Sequence, residues 1–173
     1  TLETLGELVR LAMVELDAAR GVYRLHDLLR ECAFDSELRP RGELRRARQR
    51  IAVHYVERSC ALHEALRRGD AGALDAFQAA WRNVRAIWRA RAGETDAGAR
   101  RFRAEFPLLV RYLLQLAVPA GEARELFEGG RAEAAAAGDT SALCDYSFLL
   151  GQLYIVLARN GEAMTLLLES LRL

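Results

Sequence analysis

The chain has 173 residues, enough for one domain or two small ones with a buried core. Alanine (30) and leucine (29) dominate, while valine, isoleucine and threonine together number 17, so an all-β fold is excluded and a doubly wound α/β enzyme is disfavoured. All 25 basic residues are arginine, against 24 acidic ones; the net charge of +1 gives no strong pull toward nucleic acid or anionic membrane, and without lysine these residues cannot supply a P-loop or Schiff-base lysine.

Leu5, Leu8, Val9 and Ala12 mark a short helix. Met13-Val14-Glu15-Leu16-Asp17 then alternates apolar and acidic residues like a half-buried strand, and Val22-Tyr23-Arg24-Leu25 alternates again. Ala18-Ala19-Arg20-Gly21 between them reads as a turn, so the pair is expected to form a β-hairpin. A helix should follow, with His26 or Asp27 at its start and Leu28, Leu29, Cys32 and Ala33 on its apolar side. Helix, hairpin, helix is the outline of the last part of a winged helix.

Beyond Arg39-Pro40-Arg41-Gly42 the pattern is purely helical. Leu44, Ala47, Ile51, Tyr55, Leu62 and Leu66 fall near one stripe of a long helix ending at Arg68-Gly69-Asp70, where Asp70 can cap the next helix. Leu74, Phe77, Trp81, Val84 and Trp88 form the buried side expected for that next helix. Gly93 to Gly98 reads as a loop. Phe102, Phe106, Leu109, Val110, Leu113 and Leu116 continue the helical spacing, with Pro107 predicting a kink or a fresh start. Pro119 opens a helix that Gly138-Asp139 ends, and a last pair runs from Ser141 to Ala158 and from Gly161 onward.

In this last pair Leu150-Gly151, Tyr154, Ala163 and Leu167 match the tetratricopeptide spacing, in which small residues let two helices approach and large ones fill between them. Ser147 replaces the early aromatic of that motif, and Ser170 holds its last small position. Ala123 precedes Ala163 by 40 residues and is expected to play the same part. The fold class expected is mainly α: a partial winged helix with one β-hairpin, then an antiparallel array of tetratricopeptide-like repeats. Its segments are 1–38 (end of the winged helix), 39–98 (helical linker bundle) and 99–173 (repeats). The sequence opens at Thr1 and stops at Leu173 inside an apolar helical pattern, and it reads as a piece of a longer protein.

Val22-Tyr23-Arg24-Leu25-His26-Asp27-Leu28-Leu29-Arg30-Glu31-Cys32-Ala33 is the most specific string. It resembles the end of the winged helix in STAND-class signalling NTPases of the NB-ARC type. In that family a hydrophobic-His-Asp triplet closes the winged helix, and its histidine contacts the β-phosphate of ADP. Leu25-His26-Asp27 stands at the matching place, so the resemblance implies that His26 senses the phosphate and Asp27 caps the helix that orients it. Trp81-Arg82-Asn83-Val84-Arg85-Ala86-Ile87-Trp88 is similar to a segment lying between winged helix and repeats in bacterial members, although Ala80 stands where an acidic residue is often found.

The resemblance implies a cytoplasmic regulatory and sensor segment of a signalling ATPase, bacterial in type, that helps hold an ADP-bound resting state. Such a segment is expected to bind a protein or peptide on the repeats. ADP or ATP is expected in the full-length protein, on a nucleotide-binding domain of the same longer chain, and no cofactor in this piece. No enzyme activity is expected of these residues, which carry no P-loop motif. A free-standing helical repeat adaptor is the alternative.

Arg41, Arg45, Arg46, Arg48 and Arg50 make a basic cluster, expected to be a solvated face or else a contact patch for acidic protein surface or phosphates. A nucleic-acid-binding regulator ranks lower, because Arg10 is the one basic residue of the helix that would read DNA. His54 and His63 lack a cysteine at ligand spacing, so no metal site is expected. Trp81, Trp88, Tyr146, Phe148 and Tyr154 are expected to pack. Cys32, Cys60 and Cys144 are far apart, with no C-x-x-C, which fits a reducing cytoplasm. The longest uncharged run, Tyr146 to Ala158, falls short of the ~18–20 residues that span a bilayer, and no signal peptide is visible.

Overall fold

A computed structural model describes residues 2–18, 21–25 and 41–173, with backbone only for residues 2, 22, 41–45 and 48. The described residues form eight helices and a two-stranded antiparallel sheet, and the chain divides into two units, residues 1–49 and 50–173.

In the first unit α1 spans Leu2–Arg10. It closes through Met13 N–H to the Leu8 carbonyl and Ala12 N–H to the Val9 carbonyl, with Ala12 at a left-handed φ of 54°. Strands β1 (Val14–Asp17) and β2 (Val22–Leu25) pair with Val14 opposite Leu25 and Asp17 opposite Val22. The strands stand where alternation places them, and Gly21 enters β2 at φ +62°. Val14 is buried, but Leu16 on the same side of β1 is 44% exposed. The helix expected after His26 lies outside the described residues.

Helix α2 (Arg41–Arg67) begins in the first unit and continues into the second. Its buried line is Ala52, Ser59 and His63, flanked by the partly buried Tyr55, Val56, Cys60, Leu62 and Leu66. Ile51, expected on the core stripe, is 49% exposed. The buried side is turned by one position toward small and polar residues, which hydrophobic spacing does not register.

Asp70 accepts a hydrogen bond from Gly72 N–H (3.0 Å) as α3 (Gly72–Ala92) begins. Phe77, Trp81, Val84 and Trp88 of α3 are buried as the spacing requires, and Leu74 is partly buried. Asp96 caps α4 (Ala97–Leu109) by accepting from Ala99 N–H. Pro107 sits inside the last turn of α4, and the helix is interrupted three residues later, at Val110, before α5 (Arg111–Ala117).

Pro119 and Gly138 bound α6 (Ala120–Ala137), the glycine at a left-handed φ of 68°. Asp139 caps α7 (Thr140–Val156), and α8 (Asn160–Arg172) follows. α6, α7 and α8 run antiparallel to their neighbours. Close approach is built in at two glycines. A Cβ on Gly130 would lie 2.2 Å from the Tyr146 hydroxyl, and one on Gly151 2.7 Å from Leu167 Cγ. Side chains from α3 to α7 close one continuous core around Phe77, Phe106, Leu113, Leu126, Phe127 and Tyr146.

Candidate interaction surface

Polar side chains bind the helices of the second unit to one another. Arg103 on α4, mostly buried, donates to the Arg91 and Glu94 carbonyls and pairs with Glu133 on α6. The end of α3, the following loop, α4 and α6 are thereby joined through one guanidinium. Arg131 on α6 reaches Ser147 on α7 and grips Glu169 on α8 with two bonds of 2.6 and 2.7 Å. Tyr146, whose hydroxyl donates to the Ala104 carbonyl at 2.6 Å, is held well above the ordinary tyrosine range by burial. Tyr154 donates to Glu128 and is likewise raised, first by burial. These contacts tie the helices of the second unit to one another.

On α3 the outward side carries Arg82, Arg85 and Arg89, at i, i+3 and i+7, so the three guanidinium groups share one face. With Gln78, Trp81 and Ala86 they line an open groove of about 550 Å³. Glu122 on α6 engages its edge, accepting from Trp81 Nε1 (2.6 Å) and from Arg85 (2.7 Å). Arg82 and Arg89 are exposed and have no carboxylate partner among the described residues. A second, smaller hollow of about 180 Å³ lies between α4 and α6, lined by Arg100, Arg101, Ala104, Glu133, Ala136 and Ala137.

The other exposed feature is apolar. Met164, Leu168 and Leu171, at i, i+4 and i+7 on α8, are 60%, 42% and 84% exposed, and Phe148 and Ile155 are half-exposed on α7. Phe148, expected to pack, therefore faces outward, unlike Trp81, Trp88, Tyr146 and Tyr154, which are buried. The helical period explains the difference, since Leu149, Leu150 and Leu153 already fill the inner side of α7.

Of the residues singled out in the sequence, His26 and Asp27 lie outside the described residues. Arg46 and Arg50 are exposed on α2, and the side chains of Arg41, Arg45 and Arg48 lie outside the described residues. Leu150, Gly151, Tyr154 and Ala163 are buried, and Leu167 seats against Gly151. Ala80, where an acidic residue was the familiar pattern, is 7% exposed, so a carboxylate there would be buried. Asn83 of the same segment donates to the Tyr55 hydroxyl at 2.6 Å. His54 is exposed and His63 is buried; among the described residues no group of three or more His, Cys, Asp and Glu side chains could hold a metal ion.

Hydrophobic spacing picks out Trp81, Val84 and Trp88 on α3 and passes over its arginine face. The i, i+3, i+7 spacing of Arg82, Arg85 and Arg89 was the signal that could have found it. No helix among the described residues is long and apolar enough to cross a membrane. No protein family, curated protein or solved structure matches the chain.

Proposed function

We propose that the chain is an interaction and regulatory segment, a helical scaffold that receives a protein or peptide partner and belongs to a STAND-class signalling NTPase. The observation that carries the reading is the close antiparallel stacking of α6, α7 and α8, in which Gly130 seats Tyr146 and Gly151 seats Leu167. Such stacking fixes a rigid framework through buried small residues and leaves the exposed side chains to determine specificity. The apolar stripe on α8 and the arginine face of α3 are the surfaces a partner would use. The tie to a signalling NTPase rests on the Tyr23 to Ala33 string, with His26 the phosphate contact and Asp27 its helix cap.

In the resting protein His26 would donate to an ADP phosphate oxygen, and partner binding on the helices would withdraw it. One hydrogen bond to a charged group contributes about 1.5–3 kcal/mol, enough to bias a two-state switch without locking it. His26→Ala in the full-length protein should therefore speed ADP release by roughly tenfold or more, the equivalent of ~1.4 kcal/mol, measured with a fluorescent ADP analogue. An unchanged off-rate removes His26 from the mechanism. A free-standing adaptor would use the same exposed surfaces with no nucleotide response, so the same measurement separates the two readings.

A further inference from the structure

His63 on α2 is a buried titratable group that the proposed function does not use. It is 8% exposed, and its ring packs on Tyr112 of α5, with centroids 5.2 Å apart and planes inclined by 32°. Its Nε2 is shielded from solvent and has no hydrogen-bond partner among the described residues. The charges around it are mainly positive: Arg111 on α5 and Arg67 on its own helix, with Glu64 the opposing carboxylate. Glu64 is itself paired with Arg67 and Arg68.

A neutral imidazole suits this setting, because an unfilled lone pair at Nε2 is a modest loss. A protonated one does not. Its Nε2 N–H would be buried without an acceptor among the described residues, where the positive charges of Arg111 and Arg67 outweigh the Glu64 carboxylate. The Tyr112 ring offers little compensation, since the Arg111 guanidinium already lies over it, 4.9 Å from the centroid. Burial first, then Arg111 and Arg67, hold the imidazole below its ordinary value of 6.5.

We propose that His63 is a proton-operated latch: neutral, it seats α2 on α5; protonated, it releases this stretch of α2 from the helical unit. A histidine depressed in the folded state leaves docking intact above pH ~6.5, and docking weakens as the pH falls below that value. An ordinary carboxyl group titrates near pH ~4, beneath this window. The inference is independent of the nucleotide reading, because it concerns only the seat of α2 on α5.

The test combines an NMR titration of the His63 imidazole with amide hydrogen exchange at pH 7.5 and pH 5.5, corrected for intrinsic exchange. His63 is expected to titrate below 6.5. Protection of residues 55–66 should fall several-fold while that of α6 and α7 holds, with a ceiling of about tenfold for each unit of depression. His63→Phe keeps a ring and cannot protonate, and should abolish the pH-dependent loss. Arg111→Gln removes one opposing cation, and should raise the titration point and shrink the loss even if the Phe variant does not fold. Titration at or above 6.5, constant α2 protection in the unmodified protein, or a loss that persists in His63→Phe overturns the proposal.

Discussion

The hairpin unit and the helical unit are stabilised by different amounts of burial. Among the described residues up to 49, Val14 is the one buried hydrophobic side chain, whereas α3 to α7 share a core built around fully enclosed phenylalanine, leucine and tyrosine side chains. A two-stranded hairpin is marginal alone, since half its surface faces water and its ladder is short. The alanine- and leucine-rich composition acts in the helical unit, where small residues set helix spacing and large ones fill it. In the hairpin, the left-handed Gly21 and strand alternation do most of the specifying.

Truncation should expose that contrast most directly. Phe127→Ala leaves a large cavity beside Tyr146, whose ring centroid lies 6.4 Å away, and should cost about 3–5 kcal/mol. Val14→Ala removes two methyl groups from a site with few neighbours and should cost about 1.5 kcal/mol at most. Chemical denaturation followed by far-ultraviolet circular dichroism checks both. Equal losses would mean that the hairpin is anchored as firmly as the helices.

Polar ties come next in size. Arg103→Met keeps most of the side-chain volume but leaves the Arg91 and Glu94 carbonyls and the Glu133 carboxylate without their shared donor. Removing one partner of a mostly buried pair should cost about 3 kcal/mol. Glu133→Gln in the same background should recover part of that loss, because the stranded charge is then gone. If the double variant is no more stable than the single one, the carbonyl bonds carry the interaction and the ion pair does not.

Much of the helical unit was legible because its boundaries are chemically marked. Asp70 accepts a backbone N–H at the start of α3, and Pro119 and Gly138 bound α6 where the sequence placed it; Asp96 and Asp139 cap α4 and α7 where the spacing showed only a loop and a helix end. Three features were not legible. The break came at Val110 because a proline in a last turn leaves the preceding carbonyls to finish the helix, so Pro107 announced the stop three residues early. The inner line of α2 runs through Ser59 and His63, polar types that a hydrophobic stripe passes over. The spacing of Arg82, Arg85 and Arg89 spells out the arginine face of α3 but not its pairing: Glu122 takes up Arg85 and leaves Arg82 and Arg89 without a carboxylate partner among the described residues, a tertiary fact that α3 alone does not encode.

The smallest expected effect gives the sharpest comparison, because one local defect occurs in both units. α1 and α7 each end with an alanine in left-handed backbone, Ala12 at φ 54° and Ala158 at φ 58°. Each is followed by the same return bond, Met13 N–H to the Leu8 carbonyl and Arg159 N–H to the Tyr154 carbonyl. Gly138 fills the equivalent place after α6. A left-handed alanine costs about 1–2 kcal/mol, and replacing it with glycine returns part of this as extra freedom in the unfolded chain. Ala12→Gly and Ala158→Gly should therefore each stabilise by about 0.5–1 kcal/mol. Thermal unfolding monitored separately, by hydrogen exchange in β1 and by tryptophan fluorescence at Trp81 and Trp88, decides how the gains are shared. If the two units unfold independently, Ala12→Gly moves the β1 signal alone and Ala158→Gly the tryptophan signal alone. If both substitutions move both signals, the hairpin draws its stability from the helical unit and the contrast in burial does not divide the chain energetically.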